Sequence, residues 1–265
     1  MAKNYNYNVM LDDNSIDVSK EVGLVWSIAN SLRGAYTSDK YKDVIIPMVI
    51  IRRFECALAA TKQAVIEKYE KAPTTPAALL EQISGYPFYN TSKFTLKKLL
   101  NDSDGIAENF KSYIDGFSAN VQTIINNLEF KKQIDKLDKN NRLYGIVKKF
   151  SDIDFDPASI DGMKMGYIFE DIIRRFSENA EAGDHYTPRE VIRLLVNVLL
   201  AEGCNDLLTE EGKVATVLDA ACGSGGMLST THDFLVRKNP YVDVRLFGQE
   251  INPESYAICM ADMFI

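Results

Sequence analysis

Residues 214–228 read VATVLDAACGSGGML, and this stretch decides the fold of the second half of the chain. Val214 to Asp219 has the short apolar pattern of a buried β-strand, and a glycine-rich turn follows it directly. Residues 227–236 then predict a helix, residues 242–247 a second strand, and Asn252-Pro253 the start of a last helix. Strand, glycine turn, helix, strand and helix in this order indicate the beginning of a doubly wound α/β sheet.

The glycine-rich turn has the chemistry of a ligand loop. It follows the carboxyl end of a strand, where open α/β sheets bind ligands, and its backbone amides suit an anionic group. A dinucleotide loop reads G-x-G-x-x-G; here Gly223 and Gly225 fit, but Leu228 takes the third glycine position. This disfavours a pyrophosphate and favours a carboxylate next to an ammonium, with which Asp219 can pair. The methionine part of S-adenosylmethionine has both groups, and a purely structural turn is the alternative.

Glu250 follows the end of the second predicted strand, one crossover after the glycine-rich turn. An acidic residue at this place can accept hydrogen bonds from both ribose hydroxyls of an adenosine ligand. A solvated glutamate at a strand end is the alternative interpretation.

Residues 183–190 read GDHYTPRE and precede both of these elements. Thr187 as N-cap, Pro188 at the first helical position and Glu190 three residues after the cap predict a capping box. The aromatic and polar residues before the cap could line a pocket for an adenosyl group, and the spacing alone does not choose between the two roles.

The rest of the chain predicts helices. Helical spacing of apolar residues covers residues 22–32 and 41–58, although Pro47 should kink the second helix or mark its start. Residues 93–150 are mostly helical, with an excess of Lys and Arg that indicates a solvated face or a surface for DNA or a partner. Residues 152–161 predict a linker. Two strongly amphipathic helices follow, with apolar faces formed by Met165, Ile168, Phe169, Ile172, Ile173 and Phe176 and by Val191, Ile192, Leu195, Val198 and Leu199.

Composition narrows the class of protein. The net charge of -7 argues against a general nucleic-acid binder but leaves room for a local basic groove or one supplied by a partner. The four cysteines form no C-x-x-C pair and predict reduced thiols of a cytoplasmic protein without a metal site. No signal peptide is visible in residues 1–17, and the longest apolar run, residues 44–51, predicts no membrane span.

Three segments together resemble the motifs of N6-adenine DNA methyltransferases. They are Tyr186-Thr-Pro-Arg189, Leu218 to Gly226, and Gly248-Gln-Glu-Ile-Asn-Pro253, with Ala220 where that family usually has Pro. The first half, at residues 25–34 and 41–48, is similar to the helical N-terminal domain of the modification (M) subunits of type I restriction-modification systems. The predicted fold is therefore a mostly α-helical N-terminal domain, residues 1–155, followed by the start of a Rossmann-like α/β methyltransferase domain, residues 156–265.

The resemblance implies a cofactor, partners and site residues. The cofactor would be S-adenosyl-L-methionine, and the partners would be DNA, a specificity subunit, a restriction subunit and a second modification subunit. The residues that would hold the cofactor are Asp184, His185, Tyr186, Thr187, Pro188, Arg189, Asp219, Gly223, Ser224, Gly225, Gly226 and Glu250.

The catalytic segment of the resembled family, N/D-P-P-Y/F, does not occur in these 265 residues. Asn239-Pro-Tyr241 has only one proline and precedes the second strand. We therefore expect a truncated chain that is inactive alone, with no catalytic residue of its own. Two further hypotheses stay open: a non-catalytic assembly module, and a nicotinamide-dependent oxidoreductase, which the missing third glycine disfavours.

Overall fold

The computed structural model describes residues 16–177, 187–201 and 204–265. These residues form fourteen α-helices and two β-strands, which cluster into two compact units. Among the described residues, the helical unit contains residues 17–177 with Phe264 and Ile265, and the α/β unit contains residues 187–263. This confirms the predicted fold class; the predicted boundary at 155/156 stays a prediction.

Ten helices build the helical unit. They are α1 (Ser19–Ala29), α2 (Lys42–Leu58), α3 (Lys62–Lys71), α4 (Ala77–Ser84), α5 (Leu96–Leu99), α6 (Ile106–Asp115), α7 (Ala119–Asn127), α8 (Phe130–Lys139), α9 (Leu143–Ser151) and α10 (Gly162–Ser177). All six apolar residues predicted for the face of α10 are buried. Pro47 lies inside α2 and is buried, so α2 begins before it and continues through it.

A buried polar network joins α2, α3, α5 and α6. The Glu55 carboxylate accepts hydrogen bonds from the Leu96 amide at 2.7 Å and from the Tyr113 hydroxyl at 3.0 Å, and it pairs with Arg52 at 2.7 Å. Lys62 lies 4.6 Å from the centre of the Tyr113 ring and donates to the Phe94 carbonyl. Burial lowers the pKa of Lys62 to about 8, because desolvation disfavours its charged form.

The predicted linker at residues 152–161 has no regular structure, but it is packed rather than solvated. Phe155 is fully buried, and the neighbouring Ile153 and Ile160 are nearly so. The Arg53 guanidinium donates to the carbonyls of Phe155 and Ile160, each at 2.8 Å. The Asp and Pro content indicated an irregular segment, which the structure has. The buried arginine that satisfies its backbone lies about a hundred residues away in the chain, so the local sequence did not show this packing.

The α/β unit contains α11 (Arg189–Leu200), α12 (Asn205–Thr209), β1 (Val214–Asp219), α13 (Gly226–Lys238), β2 (Asp243–Gly248) and α14, whose range is Pro253–Phe264. β1 and β2 pair in parallel, from Val214 opposite Asp243 to Asp219 opposite Gly248. The helix α13 is the crossover between them, as predicted. β2 begins and ends one residue later than the sequence predicts.

One face of the sheet is covered and the other is not. Ala215, Val217 and Val244 pack with α11 and α13, whereas Leu218 on the opposite face is 71% exposed. The strand predicted at residues 214–219 is therefore present but buried on one face, since the described residues put helices on one side only.

The buried face of α11 also differs from the prediction. Ile192, Val196 and Leu200 are its buried residues. Val191, Leu194, Leu195, Val198 and Leu199 form an exposed stripe, at 43% to 66% exposure. Apolar side chains occur on all sides of α11, so the sequence of the helix alone did not identify which side packs against the sheet.

No helix within the described ranges is both long and apolar enough to cross a membrane.

Candidate functional site

The glycine-rich turn between β1 and α13 is held against the end of β2 by backbone hydrogen bonds. The Gln249 amide donates to the Asp219 carbonyl at 2.9 Å, and the Cys222 amide donates to the Gln249 carbonyl at 2.9 Å. These two bonds extend the pairing of the strands beyond the sheet. The turn and the residues after β2 therefore form one site at the carboxyl edge of the two strands.

Two glycines of this turn need a conformation that other residues rarely adopt. Gly223 has a φ of +55° and Gly225 has a φ of +92°. A Cβ on Gly225 would also lie 2.8 Å from the Cys259 sulfur on α14, whereas nothing lies within 4 Å of the corresponding position on Gly223. Gly225 thus serves close packing, and Gly223 leaves open space at the centre of the turn.

Glu250 connects the two predicted parts of the site. One carboxylate oxygen accepts a hydrogen bond from the Gly223 amide at 3.0 Å, and the other accepts one from the Asn252 amide at 2.7 Å. The Asn252 amide, with a smaller contribution from the Gly223 amide, lowers the pKa of Glu250 below its usual value. The carboxylate therefore stays ionised and fixed, with lone pairs left for a ligand.

Asp219 and the other predicted residues of the turn lie next to this carboxylate. The Asp219 carboxylate accepts a hydrogen bond from the Ala221 amide at 3.1 Å and is half-buried. Ser224 is also half-buried, and Gly226 is the first residue of α13. The structure brings Asp219, Gly223, Ser224, Gly225, Gly226 and Glu250 together, as the sequence places them.

Ile251 is a residue that the sequence analysis missed. It follows Glu250 directly and is 98% exposed, more than any other large apolar residue of the described chain. A large aliphatic side chain in water beside two carboxylates provides apolar surface for a flat ring. Its only signal in the sequence was its position after the acidic residue.

The third predicted segment falls mostly outside the described residues. Asp184, His185 and Tyr186 lie outside them, as does the side chain of Arg189. Thr187 and Pro188 are exposed. Pro188 is the N-cap of α11 and its carbonyl accepts from the amides of Val191 and Ile192, so the predicted capping box with Thr187 as N-cap was wrong by one residue.

Asn239 and the cysteines have structural roles. The Asn239 amide donates to the carbonyls of Leu207 and Glu210, at 2.9 and 2.7 Å, so this residue fixes the loop before β1. All four cysteines are free, as predicted. The sulfurs of Cys222 and Cys259 lie 3.8 Å apart, and burial raises the pKa of both thiols, that of Cys259 to about 12.

Comparisons with known families match almost the whole chain. Residues 23–150 match the HsdM N-terminal domain, and residues 161–265 match the N-6 DNA Methylase family. The chain is 24% identical over 264 residues to the type I restriction enzyme MjaIX methylase subunit of Methanocaldococcus jannaschii, which covers 91% of this chain and 44% of that protein. It is 28% identical over 224 residues to the MjaVII methylase subunit of the same organism, covering 82% of this chain and 36% of that protein.

A solved structure has the same fold. It is the crystal structure of the type I restriction-modification system methyltransferase subunit from Streptococcus thermophilus, with a TM-score of 0.67 and 20% identity. The match covers 91% of this chain and 54% of that one. The chain thus spans about half or less of the length of the relatives that it matches.

Proposed function

We propose that the α/β unit of this chain binds S-adenosyl-L-methionine for methyl transfer to adenine N6 in DNA, because the chain matches the HsdM N-terminal domain and the N-6 DNA Methylase family and is similar to type I restriction enzyme methylase subunits. The observation that carries this proposal is the hydrogen bond between the Glu250 carboxylate and the Gly223 amide. It joins the acidic strand end and the glycine-rich turn into one preorganised site.

The residues of this site fit the chemistry of the cofactor at both ends. Asp219 can accept from the ammonium of the methionine part, and the open space at Gly223 lets a ligand approach the backbone amides closely. At the other end, Glu250 can accept from the ribose hydroxyls. The exposed Ile251 can cover one face of the adenine ring.

The turn glycines and the preceding segment complete the proposed site. Gly225 and Gly226 allow α13 to begin close to α11 and α14, since a Cβ on either would lie under 3.0 Å from a neighbouring side chain. Ser224 lies between Gly223 and Gly225 in the turn and is half-buried. Residues 184–189 belong to the proposed site on the resemblance alone, as a pocket for the adenosyl group.

The bound cofactor supplies an electrophilic methyl group. The described residues orient its two ends, and the segment that would align the adenine amine, N/D-P-P-Y/F, does not occur in the 265 residues. We therefore infer that this chain by itself binds the cofactor without transferring the methyl group. DNA, a specificity subunit, a restriction subunit and a second copy of the modification subunit are its proposed partners.

Calorimetric titration of the 265-residue chain with S-adenosylmethionine tests the proposal. We expect Glu250→Gln and Asp219→Asn each to weaken binding about tenfold or more, because each loses a charge-assisted hydrogen bond to the cofactor. The glutamine keeps one oxygen that can accept from the Gly223 amide. The loss of affinity therefore measures the effect of removing the negative charge and the second acceptor oxygen. Glu211→Gln, on an exposed residue before β1, removes the same charge and should leave the Kd unchanged.

Three results would reject the proposal. A chain that unfolds cooperatively and binds no S-adenosylmethionine would favour the assembly module. Equal losses in Glu250→Gln and Glu211→Gln would remove the assigned role of the carboxylate. Binding of NADH tighter than that of S-adenosylmethionine would favour the oxidoreductase.

A further inference from the structure

The cations of the helical unit fall into two groups. In the first, carboxylates neutralise the side chain: Lys111 pairs with Asp135 at 2.6 Å, and Lys93 and Lys132 pair with Glu70 and Glu129. In the second, no carboxylate of the described residues lies within salt-bridge distance. Five members of the second group form what we call the basic surface: Arg33, Lys136, Lys139, Arg142 and Lys149.

One short segment, residues 31–36, brings cations from three elements together. The Tyr36 hydroxyl donates to the Gln133 side chain of α8 at 3.0 Å, and the Lys136 ammonium lies 3.8 Å from the centre of the Tyr36 ring. From the other side, Lys149 of α9 donates to the Ser31 hydroxyl. Arg33 lies between Ser31 and Tyr36 in the sequence, so all three cations belong to or contact this six-residue segment.

The remaining two cations extend the surface along α8 and α9. Lys139 is three residues after Lys136 in α8, and Lys149 is seven residues after Arg142, the N-cap of α9; both spacings repeat on one face of a helix. The two helices contact each other, and all five side chains are exposed. The acidic residues of α8 are Asp135, which pairs with Lys111, and Asp138, and α9 has none, so these two helices have fewer carboxylates than cations.

We propose that the basic surface binds the phosphate backbone of duplex DNA. The whole chain has a charge of -7, so a general excess of positive charge does not explain five cations left without carboxylates in one place. From the N-cap Arg142 to Lys149, seven residues of helical rise along α9 give about 10 Å, roughly three phosphate steps along a strand of DNA. Contacts of this kind position a protein on DNA without reading its sequence.

The inference rests on the proposed function, because duplex DNA is the substrate of the proposed reaction. It adds to it the place where the helical unit meets DNA. Base recognition would remain with a separate subunit, so the expected binding is independent of sequence and depends strongly on salt.

Fluorescence anisotropy with a labelled duplex of about 25 base pairs, between about 50 and 200 mM salt, tests this proposal. The test variant is Lys139→Gln, Arg142→Gln and Lys149→Gln together. The matched control is Lys68→Gln, Lys71→Gln and Lys238→Gln, which removes three charges on α3 and α13 that also have no carboxylate of the described residues within salt-bridge distance. We expect the slope of log Kd against log salt to fall by between about 2 and 3 in the test variant and by less than about 1 in the control.

The outcomes separate this inference from the cofactor proposal. Equal slopes in the two triple variants, or no salt-dependent binding by the unchanged chain, would overturn the basic surface as a DNA site. So would displacement of the duplex by polyglutamate at an equal concentration of charge, because the surface would then fit an acidic protein. Calorimetry of the test variant with S-adenosylmethionine should give the unchanged Kd, and a failure of cofactor binding in every variant would count against the proposed function alone.

Discussion

The helical unit buries its apolar side chains, whereas the α/β unit leaves a large share of its own in water. Phe110 and Phe130 in the helical unit have no exposed surface, while Leu218 and Phe247 in β1 and β2 are 71% and 53% exposed. Both units have clear apolar periodicity in the sequence. The difference teaches that an apolar pattern identifies a surface that needs a neighbour, and that the neighbour itself must be found in the structure.

Truncation of an aromatic side chain in each unit gives the largest expected contrast. Phe110→Ala removes a ring that packs edge-on against Phe130 at 5.8 Å, and we expect it to destabilise the helical unit by about 3–5 kcal/mol. Phe247→Ala, on the open face of the sheet, should cost less than about 0.5 kcal/mol. Urea unfolding followed by the fluorescence of Trp26, the one tryptophan, reports the helical unit, and hydrogen exchange of β1 and β2 peptides reports the other.

Equal losses of stability in Phe110→Ala and Phe247→Ala would contradict this difference between the two units. They would mean that the exposed face of the sheet is covered in solution.

The buried cation of the helical unit predicts an effect of intermediate size on stability. The pKa of Lys62 falls from 10.5 to about 8 on folding, so the unfolded chain binds more protons between these values. The contribution of Lys62 to stability should therefore rise with pH, by about 1 kcal/mol per unit between pH 8 and 10, and the penalty of burying its charge is fully present below pH 8. The buried thiols of Cys222 and Cys259 act in the opposite direction, since their raised pKa values make stability fall as the unfolded thiols ionise. The raised pKa of Tyr113 keeps its hydroxyl neutral in this window.

Chemical denaturation of the unchanged chain, Lys62→Met and Lys71→Met at several pH values measures this effect. The stability difference between the unchanged chain and Lys62→Met should rise by about 1 kcal/mol per pH unit between pH 8 and 10, because the contribution of the thiols cancels in the difference. The difference between the unchanged chain and Lys71→Met, on an exposed residue of the same helix, should stay constant. Parallel curves for all three proteins would show that the Lys62 ammonium reaches water.

Polar substitution on the exposed stripe of α11 should have the smallest effect. Leu194 and Val198 are 63% and 66% exposed, so Leu194→Gln with Val198→Gln should change stability by less than about 0.5 kcal/mol. Dynamic light scattering should show less self-association, since apolar area is removed from the surface. A loss above about 2 kcal/mol would indicate that this stripe is packed against another surface in solution.

The α/β unit was predictable wherever a local rule determines the structure. β1 begins and ends where its pattern predicts, and Asn252 caps α14 through hydrogen bonds from the amides of Glu254 and Ser255. The turn and Glu250 also meet as predicted, because consecutive parallel strands place their carboxyl ends at one edge. This rule concerns the path of the backbone, and in this site the backbone amides and strand ends determine which residues meet.

The remaining differences depend on contacts that are distant in the sequence. The buried face of α11, the packing of residues 152–161 by Arg53 and the cation cluster around residues 31–36 all join segments far apart in the chain. Periodicity does not encode which of two apolar sides meets a sheet. The exposure of Ile251 was equally hidden, since an isoleucine after a strand is usually read as core.

The anchoring of Glu250 has a thermodynamic consequence. Its two oxygens are already bound to the amides of Gly223 and Asn252 before any ligand arrives. A flexible glutamate would lose on the order of 1 kcal/mol of side-chain rotational freedom when a ligand immobilised it. In this chain, folding has already restricted the side-chain torsions of Glu250. The affinity for a small diol would therefore reflect the hydrogen bonds between Glu250 and the diol, with little further loss of side-chain entropy.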